Sequence, residues 1–144
     1  MEAKRRYSFL LGERIIKINK SPHFGIYGGS FDPPHFGHVM IAAYILSHFH
    51  IDKLLIIPCA SHPFQKSLSS FNDRMEMCKR AFGIIDSSKI VISSIEQELS
   101  APSYTIKTVQ KVIELNPETK LSLFIGSDVE KNLPNWYKID ELKC

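Results

Sequence analysis

The sequence predicts an α/β protein whose core is a doubly wound parallel sheet. Two observations carry that expectation. From Phe24 onward, short apolar strands alternate with helical stretches, which implies βαβ units and a parallel sheet covered on both faces. The residues that do not suit a core gather in the loops that follow those strands. In such sheets that is the rim where ligands bind. A chain of 144 residues is long enough for one domain with a real core.

Residues 1–23 read as an N-terminal extension, in which Tyr7 to Leu11 and Arg14 to Ile18 flank Gly12-Glu13 and suit a β-hairpin. Residues 24–144 form the main domain. Phe24 to Tyr27 is a short apolar strand ending in Gly28-Gly29. Gly37 to Phe49 is helical, with Val39, Ala42, Ala43 and Leu46 on one face. Leu54 to Ile57 is a buried strand closed by Pro58. A helix is expected from Asn72, taken as its N-cap, to Ile85, and a strand at Ile90 to Ile92. Tyr104 to Leu115 has helical spacing and stops before Pro117. Leu121 to Ile125 is a fourth strand, followed by Gly126-Ser127-Asp128 and weaker helical segments. The loops after Tyr27, Ile57, Ile92 and Ile125 therefore share one rim.

Bulk composition narrows the partners. The hydrophobic share of 44% and charged share of 23% are those of a soluble globular protein. The net charge of +3 is scattered apart from Lys4-Arg5-Arg6, so no nucleic-acid surface is expected. The longest apolar run, Val39 to Leu46, falls well short of the roughly 18 residues that span a bilayer, so no membrane partner is expected. Three cysteines, Cys59, Cys78 and Cys144, are odd in number and lack CxxC spacing, which points to a reducing cytoplasm. A homo-oligomer is compatible with the composition.

The densest chemistry lies between Gly28 and His38. Gly28 and Gly29 allow a sharp turn close to a ligand, and Pro34 suits helix entry. His35 and His38, three apart at the helix start, can project on one side. Free backbone N–H groups and the positive helix end make a ready anion site beside them. The pattern is neither a P-loop nor a GxGxxG fingerprint. Two other readings remain open here: a metal site using Asp32 with the histidines, which lacks a regularly spaced third ligand, and a purely structural turn.

Gly29-Ser30-Phe31-Asp32-Pro33-Pro34-His35-Phe36-Gly37-His38 resembles the G-x-F-D-x-x-H-x-G-H signature of the nucleotidyltransferase superfamily. The resemblance implies a Rossmann-like doubly wound sheet of that superfamily's type. Later segments resemble bacterial nicotinate-nucleotide adenylyltransferases: Ser103-Tyr104-Thr105, Phe124-Ile125-Gly126-Ser127-Asp128, and Leu133-Pro134-Asn135-Trp136-Tyr137. His62-Pro63-Phe64-Gln65-Lys66 sits where that family has a phosphate-contacting loop. The resemblance runs from about Phe24 to Leu142 in the same order.

It implies adenylyl transfer from ATP to nicotinate mononucleotide, giving nicotinate adenine dinucleotide and pyrophosphate, with Mg²⁺ carried on the ATP phosphates. His35 and His38 would be catalytic. Gly28, Gly29, Ser30, Phe31, Lys66, Gly126 and Asp128 would bind ATP or phosphate. Ser103, Tyr104, Thr105 and Trp136 would bind the mononucleotide, Trp136 by stacking on a cationic ring. No protein-held metal site is implied. On residue type alone, Asp128 is equally an N-cap, Lys66 a solvated lysine, Trp136 a core or lid aromatic and Tyr104 an ordinary helix-start residue.

The sequence departs from the family at both ends. About twenty residues precede the first strand, and the family's later I-S-x-T-x-I-R segment is absent; Arg74 and Arg80 lie on an earlier helix and do not match it. The expectation is a fragment lacking the last strand and helix of the fold. Nicotinamide mononucleotide or phosphopantetheine as acceptor, and a non-catalytic nucleotide-binding module, are the alternative readings.

Overall fold

In the computed structural model, the backbone of residues 6–11 and 14–19 is described, together with residues 21–62, 67–85 and 88–142. Strands β1 (Arg6–Leu11) and β2 (Arg14–Asn19) pair antiparallel, Arg6 opposite Asn19 and Leu11 opposite Arg14. The main sheet comprises β3 (His23–Gly29), β4 (Lys53–Pro58), β5 (Ile90–Ile92) and β6 (Lys120–Phe124). Its order is β5-β4-β3-β6 and every pairing is parallel. Helices α1 (Phe36–His48), α2 (Phe71–Phe82) and α3 (Thr105–Leu115) make the crossovers. Short helices α4 (Ser127–Glu130) and α5 (Ile139–Leu142) follow β6. Among the described residues no helix is long and apolar enough to cross a membrane.

The two-residue period of the central strands explains why both faces are covered. Tyr27, Leu54 and Ile56 turn to one face and pack with Val39, Ala42 and Ile45 of α1 and Cys78 and Phe82 of α2. Ile26, Leu55 and Ile57 turn to the other and meet Ile95, ahead of α3, and Val112 of α3. Each fully buried aliphatic side chain stabilises the fold by about 1.5–3 kcal/mol. This is the α/β, Rossmann-like, doubly wound arrangement the strand–helix alternation predicts.

Several boundaries differ from the sequence reading. The first strand continues through Gly28 and Gly29, which pair with Ile57 and Pro58, so the loop opens at Ser30. Helix α2 is capped by Ser70, not Asn72: the Ser70 hydroxyl accepts from the Asp73 N–H at 3.1 Å. That helix ends at Phe82, because Gly83 closes it. A 3₁₀ turn at Ile95–Glu98 was not anticipated, being too short for a periodic signal. On α1, Ile45 is buried while Ala43 and Leu46 are half-buried; Phe36, Met40, Ile41 and Tyr44 face outward.

The chain winds outward from β3 through β4 to β5, then returns to the far side of β3 as β6. Strand order reverses between β3 and β6, so a crevice opens beyond their carboxyl ends. The loop entering it is held by Phe31. This residue has φ 47°, a left-handed conformation uncommon outside glycine, and its ring is 2% exposed. The ring meets Tyr27 and Phe82 edge-on, with centroids 5.6 Å away in both cases. A Cβ at Gly29 would lie 3.1 Å from that ring, tight enough that the ring would have to shift. Backbone strain of roughly 1 kcal/mol is more than offset by burial of the ring. Replacing Phe31 with Ala should therefore destabilise the fold by about 3–5 kcal/mol in urea unfolding. A loss below about 1 kcal/mol would show that the ring does not anchor the loop.

Candidate functional site

Two side-chain groups surround the rim. The first is the histidine pair. His35 is the N-cap of α1 and His38 its third residue; the His35 N–H donates to His38 Nδ1 at 3.1 Å. The rings stack with centroids 3.8 Å apart, and the His38 ring meets Phe31 edge-on at 5.0 Å. A Cβ at Gly37 would sit 3.0 Å from the His35 ring, which explains the glycine between the histidines. Because Nδ1 of His38 accepts a backbone proton, the neutral ring carries its own proton on Nε2.

The electrostatics favour that neutral form. Burial lowers the His38 pKa, repulsion from His35 lowers it further, and the Asp128 carboxylate pulls it partly back. Beneath the pair lies Tyr27, whose hydroxyl is pushed up to about 12, first by burial and then by Asp128. At neutral pH this edge of the crevice offers protonated, uncharged donors beside the N–H groups that open α1. Such a set of donors suits the oxygens of an anion such as phosphate. Among the described residues no group of three or more His, Cys, Asp or Glu side chains could hold a metal.

The second group is a cleft of about 700 Å³, lined by Ser61, His62, Ser69, Arg74, Pro102 and Tyr104 among others. Its walls are stitched by buried polar groups. Ser103 donates its N–H to Ser61 O at 2.9 Å and accepts the Ser61 N–H on Oγ at 3.0 Å. Glu96, 8% exposed, accepts from the Ala60 N–H at 2.9 Å and the Thr108 hydroxyl at 2.7 Å. Burial and then Glu96 push the nearby Cys59 thiol up to about 11, so it stays protonated at neutral pH. Arg74, 1% exposed, donates from Nε to Ser69 O at 3.0 Å and from Nη1 to Ser30 O at 2.9 Å. Arg74 thus joins the cleft wall to the histidine loop.

The residues singled out from the sequence fall unevenly around this site. Gly28 and Gly29 end β3, Ser30 opens the loop beyond it, and His35 and His38 stand at the start of α1. The Phe31 ring lies in the core, so only its backbone is left for a ligand. Gly126 is the N-cap of α4 and Asp128 lies inside that helix, which corrects the N-cap reading of Asp128. A side chain at Gly126 would collide with the Asp128 carboxylate. The Ser103 hydroxyl is taken up by Ser61, while Tyr104 caps α3 and Thr105 begins it. Trp136 is half-buried at the end of the 3₁₀ turn Leu133–Asn135. Its neighbour Tyr137 is the residue stacked on Tyr104, at 4.7 Å and 28°. Pro63, Phe64, Gln65 and Lys66 lie outside the described residues.

Sequence reasoning missed Arg74, Glu96, Tyr27 and Tyr137 as parts of the site. An ionisable residue inside an otherwise helical apolar stripe was the available signal for Arg74. Nothing local marks Glu96, whose partners are 36 and 12 residues away.

A family model described as cytidylyltransferase-like matches residues 26–143. The chain belongs to this family. Among curated proteins, a probable nicotinate-nucleotide adenylyltransferase of Methylacidiphilum infernorum is 38% identical over 130 residues, covering 89% of this chain and 63% of that protein. The nicotinate-nucleotide adenylyltransferase of Bacillus subtilis is 38% identical over 121 residues, covering 82% and 62%. Among solved structures, the Plasmodium falciparum nicotinic acid mononucleotide adenylyltransferase complexed with NaAD superposes with a TM-score of 0.72 at 29% identity. That match covers 84% of this chain and 60% of the other. The chain spans about three fifths of the length of the curated relatives it matches.

The lowered pKa of His38 has a consequence for stability. The unfolded chain takes up a proton near the ordinary value of 6.5, before the folded one does. Stability should therefore fall as pH drops below about 6.5, because the unfolded state then binds more protons. Urea midpoints at pH 7, 6 and 5 should fall more steeply for the wild type than for His38→Asn. Parallel pH profiles would mean that His38 titrates alike in both states.

Proposed function

We propose that this protein, in its full-length form, transfers an adenylyl group from ATP to nicotinate mononucleotide, releasing pyrophosphate and nicotinate adenine dinucleotide. The observation that carries this reading is the stacked His35–His38 pair at the N-terminus of α1, in the crevice beyond β3 and β6. The nicotinate-nucleotide adenylyltransferases among its relatives support the choice of acceptor.

A phosphate oxygen of the mononucleotide attacks the α-phosphorus of ATP in line. The new O–P bond forms as the bond to the bridging oxygen breaks, and pyrophosphate leaves with its electron pair. The nucleophile is already an anion, so no side chain has to remove a proton. His38 donates from Nε2 to the charge that builds on the phosphoryl oxygens, and His35 and the first N–H groups of α1 hold the triphosphate. Gly28, Gly29, Ser30, the Phe31 backbone, Gly126 and Asp128 complete the ATP side, with Lys66 assisting. The substrate is MgATP, the ion travelling on the phosphates. Tyr104, Thr105 and Trp136 take the pyridinium ring and its carboxylate, with Ser103 shaping the loop that carries them. Two free thiols, Cys59 and Cys78, suit a cytoplasmic setting.

The test is pyrophosphate release by the purified full-length protein with ATP and each acceptor in turn. Nicotinate mononucleotide should be turned over, and His38→Ala should lower kcat by roughly 10²–10³-fold, the usual loss for one donor to a developing anion. Release with phosphopantetheine or nicotinamide mononucleotide but not with nicotinate mononucleotide would replace the acceptor. Nucleotide binding without any turnover would make the protein a binding module.

A further inference from the structure

Arg74 is the most deeply buried charged residue named among the core positions, at 1% exposure, and adenylyl transfer as derived above makes no use of it. Burying a guanidinium carries a desolvation cost that an apolar side chain of similar volume would avoid. The position must therefore need what a guanidinium provides, which is a planar fork of donors with fixed directions.

Both of its acceptors are carbonyls in irregular backbone. Ser30 lies just beyond β3 and Ser69 just before α2, so neither carbonyl has a ladder or helix partner. The same two segments meet a second time, where the Ser69 N–H donates to Asp32 Oδ2 at 2.7 Å. Three bonds thus close a ring, from Arg74 to Ser30, through Asp32 to Ser69, and back to Arg74. The Arg74 guanidinium also lies over the Phe71 ring, 5.5 Å from its centroid, a cation–π contact on one side.

We propose that Arg74 is a positioning residue, which clamps the start of the histidine loop to the wall of the neighbouring cleft so that His35 and His38 face the phosphates in register. Phe31 pins the middle of the same loop in the core, and the His35–His38 bond closes its end. Arg74 supplies the remaining constraint and touches no reacting atom. The kinetic consequence rests on the adenylyl-transfer reading; the structural one does not.

The test uses the full-length protein with Arg74→Lys, which keeps the charge but not the fork, and Arg74→Met, which keeps only the volume. Hydrogen exchange should show faster exchange of the Ser69 amide and of residues 31–38 in both variants, with β3 and β4 unchanged. In Arg74→Lys, kcat should fall on the order of 10- to 100-fold, as expected for a small displacement of catalytic groups, with KM for ATP within about threefold. Combining Arg74→Lys with Asp32→Ala should cost less than the product of the single losses, because both cut one ring. Unchanged exchange in residues 31–38 would overturn the proposal, as would loosening spread evenly through β3 and β4. An inactive wild type would remove the adenylyl-transfer reading, and the exchange pattern alone would then decide the clamp.

Discussion

The site depends on one side chain turned the unexpected way. A loop that leaves the carboxyl end of a strand ordinarily runs over the surface, with its side chains in water. Here Phe31 bends back at positive φ and places its ring between Tyr27, Phe82 and His38. Around that ring the rest of the motif makes steric sense: Gly29 leaves room for it, and His38 leans on its edge. The loop is therefore part of the core at one residue and part of the crevice at its neighbours. Its geometry is inherited from the stability of the sheet. For the proposed phosphate chemistry this arrangement matters, since donors that are fixed before the substrate arrives lose no energy to reorganisation.

How much of this was legible in the sequence follows from the range of the forces involved. Strand–helix alternation is a local signal, and Tyr27, Leu54 and Ile56 on one face with Ile26, Leu55 and Ile57 on the other follow from the two-residue period. The common rim follows from the four strands of the main sheet being parallel. The histidine loop was legible because its parts are consecutive. What could not be read depends on partners distant in the chain. Arg74 bonds Ser30 across 44 residues, and Glu96 bonds Ala60 across 36. The cap of α2 was misplaced by two residues because Ser70 and Asn72 are both good caps, and only the bond to the Asp73 N–H distinguishes them. The stacking of Tyr137 on Tyr104 was equally hidden, because it depends on backbone direction after the 3₁₀ turn that ends at Trp136.

Two buried residues of opposite charge type, Arg74 and Glu96, each bond the backbone of a loop at the rim. Arg74 takes two carbonyls and Glu96 takes the Ala60 N–H with the Thr108 hydroxyl. For stability alone, apolar residues at both positions would serve as well or better, since neither ion recovers its full hydration. What apolar residues could not do is saturate the donors and acceptors that a ligand-binding loop exposes where ladder pairing stops. Ser30, Ala60 and Ser69 all lie just outside regular elements. A neutral side chain would leave these groups to water or to competing loop conformations. Charge makes each bond stronger and more directional than a neutral one. The buried ions are thus the cost of having ordered loops at the ends of a parallel sheet, and their sign follows the group they must satisfy.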